Sequence, residues 1–205
     1  MTHTVIAVGQ EAPFKELVEL IQQWKVGFLP VLEGEGRVIG VVSEADLLPK
    51  EEFRDADPAR YDVLRRLPDL AKAGAVTAGE LMTSPAVSVR PDATLAVAAR
   101  VMARRRVKHL PVVDASGLLQ GVVSRSDLLK VFLRADEDIA AEIRHAVLSS
   151  LPARTQVDVR VREGVVTLGG TLRDTALVPF LARASRAVEG VVDVRLDLNQ
   201  PVSEQ

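Results

Sequence analysis

Two kinds of apolar pattern alternate along the first two thirds of the chain, continuous runs and stripes with helical spacing. Residues 28–32 and 38–42 are apolar, β-prone runs separated by a glycine-containing turn, which is typical of a hairpin of buried strands. A stripe over residues 17–24 precedes them with the spacing of an amphipathic helix. A short extended piece at 5–8 comes first, and a short helix after 43 closes the segment. The predicted order is therefore β-α-β-β-α.

The same order of elements recurs further along the chain. Met82-Thr83 stands 81 residues after Met1-Thr2, and this register holds without a gap. It places Leu110-Pro111-Val112 on Leu29-Pro30-Val31, Gly121-Val122-Val123-Ser124 on Gly40-Val41-Val42-Ser43, and Asp127 on Asp46. The chain therefore contains two copies of one structural unit. Two copies of about 50 residues each would be marginal alone, so we expect one domain, with a charged linker whose middle, around 61–70, is helical.

The last third of the chain shows a different succession of patterns. A helix is expected after Asp136, its predicted N-cap, because Ile139, Ile143 and Val147 share one helical face. Alternating valines at 157–161 and a return run at 165–168 predict a hairpin. A second helix is expected over about 175–188, with Pro179 either near its start or kinking it, and an alternating strand over 192–198 ends the segment. The predicted order is α-β-β-α-β.

Composition narrows the range of functions. The formal net charge is -2 with a sequence pI near 6.0, which gives no indication of nucleic-acid binding. Cysteine is absent, so disulfides, thiolate nucleophiles and cysteine-ligated zinc are excluded. The sequence has no secretory leader and no apolar run long enough to span a membrane. We expect a cytoplasmic protein.

The paired motifs resemble the CBS domain pair, or Bateman module. Residues 26–31 with 40–46, and residues 107–114 with 121–127, carry the resemblance, and Met82-Thr83-Ser84-Pro85 is similar to the family's repeat opening. The expected fold class is α/β (α+β), with tandem β-α-β-β-α repeats forming one pseudo-two-fold domain. We assign residues 1–133 to this pair: repeat one at 1–50, a linker at 51–78 and repeat two at 79–133.

The C-terminal segment resembles the BON domain over residues 137–199. The resemblance rests on the glycine-rich return strand 164–171 and on residues 188–194. BON domains of envelope proteins are associated with phospholipid contact. Because this sequence shows no signal peptide and no cysteine for lipidation, membrane contact is not expected here.

The CBS resemblance implies that adenosine-containing ligands bind in the cleft between the repeats. The aspartate of each Gly-x-x-Ser-x-x-Asp motif can accept hydrogen bonds from ribose, and the serine at the helix start suits a phosphate. The apolar strand can hold the purine. The nucleotide-binding residues implied are Thr2, Ile6, Phe28, Pro30, Ser43 and Asp46 in repeat one, and Thr83, Val87, Lys108, His109, Pro111, Ser124, Arg125 and Asp127 in repeat two.

Charge differs between the two copies. Arg125 faces Glu44 in the aligned register, and Lys108 faces Gly27. A phosphate prefers guanidinium and ammonium partners. We therefore predict that the second motif, with Ser124, Arg125 and Asp127 supported by Lys108 or His109, binds the phosphorylated ligand. The first motif should bind an uncharged adenosine moiety or nothing. The alternative is that both motifs are only helix caps.

The leading hypothesis is a regulatory, non-enzymatic protein that senses AMP, ATP or another adenosine-containing molecule and signals to an unknown partner. The resemblance also implies a homodimer through the CBS pair. Histidine and carboxylate spacing indicates no metal site, and no catalytic motif is present. The alternative functions are a ligand-independent interaction protein that docks a partner or membrane surface through its BON-like domain, and an enzyme or its regulatory fragment.

Overall fold

The chain folds into two compact units that divide after Leu128. In this computed structural model the described residues are 1–54, 67–150, 156–172 and 174–199, with Ser150 described by its backbone only. The linker was expected to be helical around 61–70, and positions 61–66 of that range lie outside the described residues.

The first repeat has the predicted order of elements. It comprises β1 (Val8–Gly9), α1 (Phe14–Trp24), β2 (Phe28–Glu33), β3 (Arg37–Ser43) and α2 (Glu44–Leu47). Strand β2 lies in the middle of the sheet, parallel to β1 and antiparallel to β3. The hairpin turn contains Gly34 and Gly36, both with positive φ, as the glycine-containing turn predicts.

The second repeat follows the linker, whose described residues form three short helices. These are α3 (Pro49–Glu52), α4 (Leu67–Gly74) and α5 (Ala78–Leu81), and the repeat comprises α6 (Leu95–Arg105), β4 (His109–Val113), β5 (Leu119–Ser124) and α7 (Arg125–Leu129). Strands β4 and β5 form an antiparallel hairpin. The expected leading strand is reduced to a single parallel bridge between Val89 and Val112. The predicted fold class of two like repeats is confirmed.

The opening residues of each repeat pair with the hairpin of the other repeat. Thr2 exchanges backbone hydrogen bonds with Val122 on β5, and Thr83 exchanges them with Val41 on β3. The glycines beside these bridges leave room for the incoming methionines. A Cβ on Gly40 would lie 2.5 Å from Met82 Sδ, and one on Gly121 would lie 2.9 Å from Met1 Sδ. The two repeats are therefore interlocked by symmetric contacts.

Separate apolar clusters form the cores of the two repeats. Leu17, Leu29 and Val31 centre the first cluster, which also takes in Ala78 and Leu81 of α5. Met102, Leu110 and Val123 centre the second. Since α5 comes directly before the second opening, its burial in the first core strengthens the exchange between the repeats.

The second unit is a three-stranded sheet with two helices. It comprises α8 (Asp136–Ala146), β6 (Gln156–Arg162), β7 (Val165–Thr171), α9 (Val178–Arg186) and β8 (Asp193–Asn199). Strand β7 is central, antiparallel to β6 and parallel to β8. The two helices bury Ile139, Ile143 and Leu181 against the sheet. The predicted α-β-β-α-β order is confirmed, with Pro179 in the first turn of α9.

Asp136 has a different role from the predicted one. The N-cap of α8 is Ala135, and Asp136 is the first residue of the helix. Its carboxylate accepts hydrogen bonds from the backbone N–H groups of Glu163, at 2.7 Å, and Gly164, at 2.8 Å. Both turn residues have positive φ. The expectation that Asp136 caps its own helix was therefore wrong, because its side chain instead satisfies the amides of the β6–β7 turn.

Candidate ligand-binding clefts

Two clefts in the first unit contain most of the predicted site residues. Cleft 1 has a volume of about 250 Å³, and residues of both repeats line it: Gly27, Phe28, Val41, Ser43, Glu44, Ala45, Asp46, Thr83, Val87, Arg106, Val107, Lys108 and His109. Cleft 2 has a volume of about 460 Å³ and is lined by Thr2, Thr4, Val5, Ile6, Trp24, Lys25, Val26, Gly27, Phe28, His109, Val122, Ser124 and Asp127. Both are concave and mostly apolar, as small-molecule sites usually are.

The two clefts are related by the 81-residue register. Ser43 and Asp46 of cleft 1 correspond to Ser124 and Asp127 of cleft 2, and Thr83 and Val87 correspond to Thr2 and Ile6. In each cleft the Gly-x-x-Ser-x-x-Asp motif comes from one repeat and the opening residues come from the other. This crossing follows from the exchanged backbone bridges between Thr2 and Val122 and between Thr83 and Val41.

The ends of the two long helices turn the chain into the clefts. Lys25 after α1 and Arg106 after α6 occupy equivalent positions, and both have left-handed backbones, with φ of 52° and 56°. Each residue ends its helix and directs the next three residues along a cleft wall. These are 26–28 in cleft 2 and 107–109 in cleft 1.

The serine and aspartate of each motif bind one another. Asp46 Oδ2 accepts from the Ser43 backbone N–H at 2.7 Å and from its hydroxyl at 2.6 Å. Asp127 Oδ2 accepts from the same two groups of Ser124, at 3.0 and 2.7 Å. Each motif therefore caps its helix. Each cap also places an aspartate in a cleft wall.

An aromatic pair separates the clefts. Phe28 and His109 are equivalent in the register, and their rings stack with centroids 4.6 Å apart and planes 8° from parallel. Both residues line both clefts. Burial lowers the pKa of His109 below its ordinary value and nearby Lys108 lowers it further, while Asp127 and Glu44 act in the opposite direction. The net lowering favours the neutral imidazole, so the stacked pair offers an uncharged face to each cleft.

The two cationic side chains expected to bind phosphate, Lys108 and Arg125, do not line the cleft that contains Ser124 and Asp127. Lys108 and Arg106 line cleft 1, where they face the motif of the first repeat, Ser43 and Asp46. Arg125 lines neither cleft in the part of the chain that the structure describes, and its Nε donates to the Val107 carbonyl at 3.2 Å. The sequence-based hypothesis paired Lys108 with Ser124. The structure instead gives cleft 1 the greater number of cations, because the repeats exchange their contributions.

Besides Arg125, two predicted site residues lie outside both clefts. Pro30 and Pro111 are buried in the middle of β2 and β4 and line neither cleft wall. Conversely, Trp24 was interpreted only as part of a helical stripe, yet its side chain is 53% exposed and lines cleft 2. Its aligned partner in the second repeat is Arg105, so the internal comparison gave no indication of an aromatic wall.

Neither a metal cluster nor a membrane-spanning helix occurs among the described residues. Within them, no group of three or more His, Cys, Asp or Glu side chains is placed to hold a metal ion. None of the helices described is long and apolar enough to cross a bilayer.

The interlocked repeats with their paired clefts define a tandem-repeat module followed by a small α/β unit. Residues 1–50 and 78–134 match the CBS domain, and residues 135–200 match the BON domain. The chain belongs to the CBS domain family and carries a C-terminal BON domain, as the resemblance implied.

Several known proteins are similar to part of this chain. A chloroplastic CBS domain-containing protein of Arabidopsis thaliana, CBSX2, is 31% identical over 132 residues, which is 58% of this chain and 55% of the plant protein. An uncharacterized protein of Methanocaldococcus jannaschii, MJ1426, is 27% identical over 144 residues, 62% of this chain and 86% of the archaeal protein. The crystal structure of CBSX2 in complex with AMP superposes with a TM-score of 0.56 at 29% identity, covering 63% of this chain and 89% of that one.

Proposed function

We propose that this chain is a regulatory protein that binds adenine nucleotides in clefts 1 and 2. The observation that carries the proposal occurs in both clefts: an aspartate from the start of a short helix lies in the same cleft as apolar side chains. Asp46 and Asp127 offer carboxylate oxygens that suit the two hydroxyls of a ribose. Beside them, Val87 and Val107 in cleft 1, and Ile6 and Val26 in cleft 2, form apolar walls for a purine ring. The AMP complex of the plant relative supports the same ligand class.

The ligand's position explains how binding would act on a partner. The residues proposed for each cleft come from both repeats, so an occupied cleft favours one packing of the repeats. A ligand shifts such an equilibrium only by its different affinity for the two states. In the proposal, the favoured state is read by a protein partner, a homodimer forms through the CBS pair, and no reaction is assigned to the chain.

The domain boundary also remains a proposal. The compact units divide after Leu128, while the two family matches meet between Arg134 and Ala135. We place the end of the nucleotide-binding part within 129–136. The BON domain is then a separate unit, and we propose that it supplies contacts with the partner and none with the nucleotide.

A thermal-shift titration tests the proposed ligand class. A ligand that binds only the folded protein stabilises it by about 2.7 kcal/mol when its concentration is a hundred times Kd. For a chain of this size each kcal/mol raises Tm by about 2–4 °C. We expect AMP to raise Tm by several degrees, with a further rise as its concentration increases above Kd, and CMP at the same concentration to leave Tm unchanged. Equal shifts with AMP and CMP, or none with AMP, ATP or adenosine, would contradict the proposal.

A further inference from the structure

A lysine of the linker between the repeats lies at the ribose-binding position proposed for cleft 1. Lys72 on α4 forms a salt bridge through Nζ to Asp46 Oδ1 and donates a second hydrogen bond to Thr83 Oγ1 at 3.2 Å. Thr83 in turn donates to Asp46 Oδ1 at 3.5 Å. Both partners of Lys72 line cleft 1. None of the residues proposed for the site from the sequence belongs to this linker.

The ion pair is largely shielded from water. The Lys72 side chain is 20% exposed and that of Asp46 is 13% exposed. A pair of this kind is screened less by salt than one on the surface, and removing one partner leaves the other charge half-buried and uncompensated. The helix that carries Lys72 packs on α2 and α3. Lys50 Nζ holds its last turn by donating to the Ala73 carbonyl at 3.0 Å.

Ribose and Lys72 compete for the same carboxylate oxygen. Asp46 Oδ2 is occupied by the two hydrogen bonds from Ser43, and Oδ1 is the oxygen that binds Lys72 and Thr83. A ribose that donates to Asp46 in cleft 1 must therefore displace the ammonium group. Lys72 lies in the linker, outside the repeated register, so the internal symmetry does not supply cleft 2 with the same competitor.

We propose that Lys72 makes cleft 1 selective for phosphorylated adenosine ligands over adenosine itself, an inference that rests on the proposed function. When adenosine displaces Lys72, the ammonium loses its carboxylate and gains no anion. When AMP does so, its phosphate provides roughly two negative charges for the displaced ammonium. The four-carbon stem of lysine lets Nζ move from Asp46 to the phosphate. Lys108 and Arg106, which line cleft 1, add to the preference.

The test measures the preference for AMP over adenosine with and without the lysine. Calorimetric titrations are made in an Asp127→Asn background, which weakens cleft 2 so that cleft 1 dominates the signal. In the Lys72→Met variant we expect adenosine to bind about tenfold more tightly and AMP more weakly, so the preference for AMP falls at least tenfold. Lys72→Arg should retain most of the preference, because it keeps the charge.

Lys15→Met is the matched control. Lys15 is exposed on α1 and lines neither cleft, so this change removes the same charge and should leave both affinities within about twofold. Equal changes of AMP and adenosine affinity in a folded Lys72→Met protein would overturn the selectivity and leave the nucleotide site in place. If the background protein, folded by circular dichroism, binds neither ligand while the wild type also binds neither, the proposed function fails together with the inference.

Discussion

Replacing Asp46 and Asp127 together by alanine should weaken AMP binding roughly 10- to 100-fold at each cleft. Each aspartate supplies the carboxylate that we assign to the ribose hydroxyls, and a hydrogen bond to a charged group contributes about 1.5–3 kcal/mol. Each single variant should weaken one binding event and spare the other. Calorimetric titration with AMP separates the two, because the singles retain a high-affinity site and the double variant retains none.

Loss of a helix cap is the competing explanation, and the chain contains a matched control for it. Glu80 accepts hydrogen bonds from the backbone N–H groups of Val76 and Thr77 and completes a capping box with Thr77 at the start of α5. The pKa of Glu80 is lowered from its ordinary value, and the hydrogen bond from the Val76 backbone N–H is the largest cause. Glu80 lines neither cleft.

The Glu80→Ala variant should therefore lose some stability, because two backbone N–H groups lose their acceptor, and it should keep its affinity for AMP. The assignment of the aspartates would fail if Glu80→Ala weakened AMP binding as much as the aspartate changes do. It would also fail if the double aspartate variant, still folded by circular dichroism, bound AMP like the wild type.

Gly170→Ala should destabilise the C-terminal unit by about 3 kcal/mol or more. Gly170 has a φ of +118°, a conformation that costs any other residue strain. A Cβ there would lie 2.1 Å from the Gln156 carbonyl oxygen on the neighbouring strand, so the β6–β7 pairing would have to open. Urea denaturation followed by circular dichroism measures the loss.

The adjacent Gly169 provides the control for Gly170. It lies on the same strand, its nearest neighbour to a new Cβ would be the Asp197 carbonyl oxygen at 3.8 Å, and its φ is outside the left-handed region. Gly169→Ala should change the stability by less than about 1 kcal/mol. Similar losses in the two variants would show that the strand tolerates neither methyl group, contrary to the geometry described.

The order of elements in the first unit could be predicted because the same pattern occurs twice in the sequence. Apolar runs and helical stripes are local signals, and the 81-residue register confirmed each of them with a second copy. The exchange between repeats is not a local signal. It depends on Thr2 pairing with Val122 and Thr83 with Val41, and pairings between distant segments leave no periodicity in a single sequence. For this reason most of the residues proposed from the sequence line a cleft, while Lys108 was paired with the motif of the other cleft.

Lys72 and Asp136 show two further limits of the sequence pattern. The linker follows no register, so nothing in the internal comparison indicates that Lys72 binds Asp46. Asp136 carries the usual signal of an N-cap, but Ala135 takes that position and frees the carboxylate for the amides of Glu163 and Gly164. In both cases a charged side chain bonds to a partner that is distant in the sequence.

The central claim, that adenine nucleotides bind in these clefts, is tested most directly by photo-crosslinking with 8-azido-AMP followed by peptide mapping. We predict adducts on peptides that contain cleft residues, within 83–87 and 106–109 for cleft 1 and within 2–6 and 24–28 for cleft 2, and excess unlabelled AMP should suppress them. Adducts confined to residues after 135, or labelling that unlabelled AMP does not reduce, would contradict the claim.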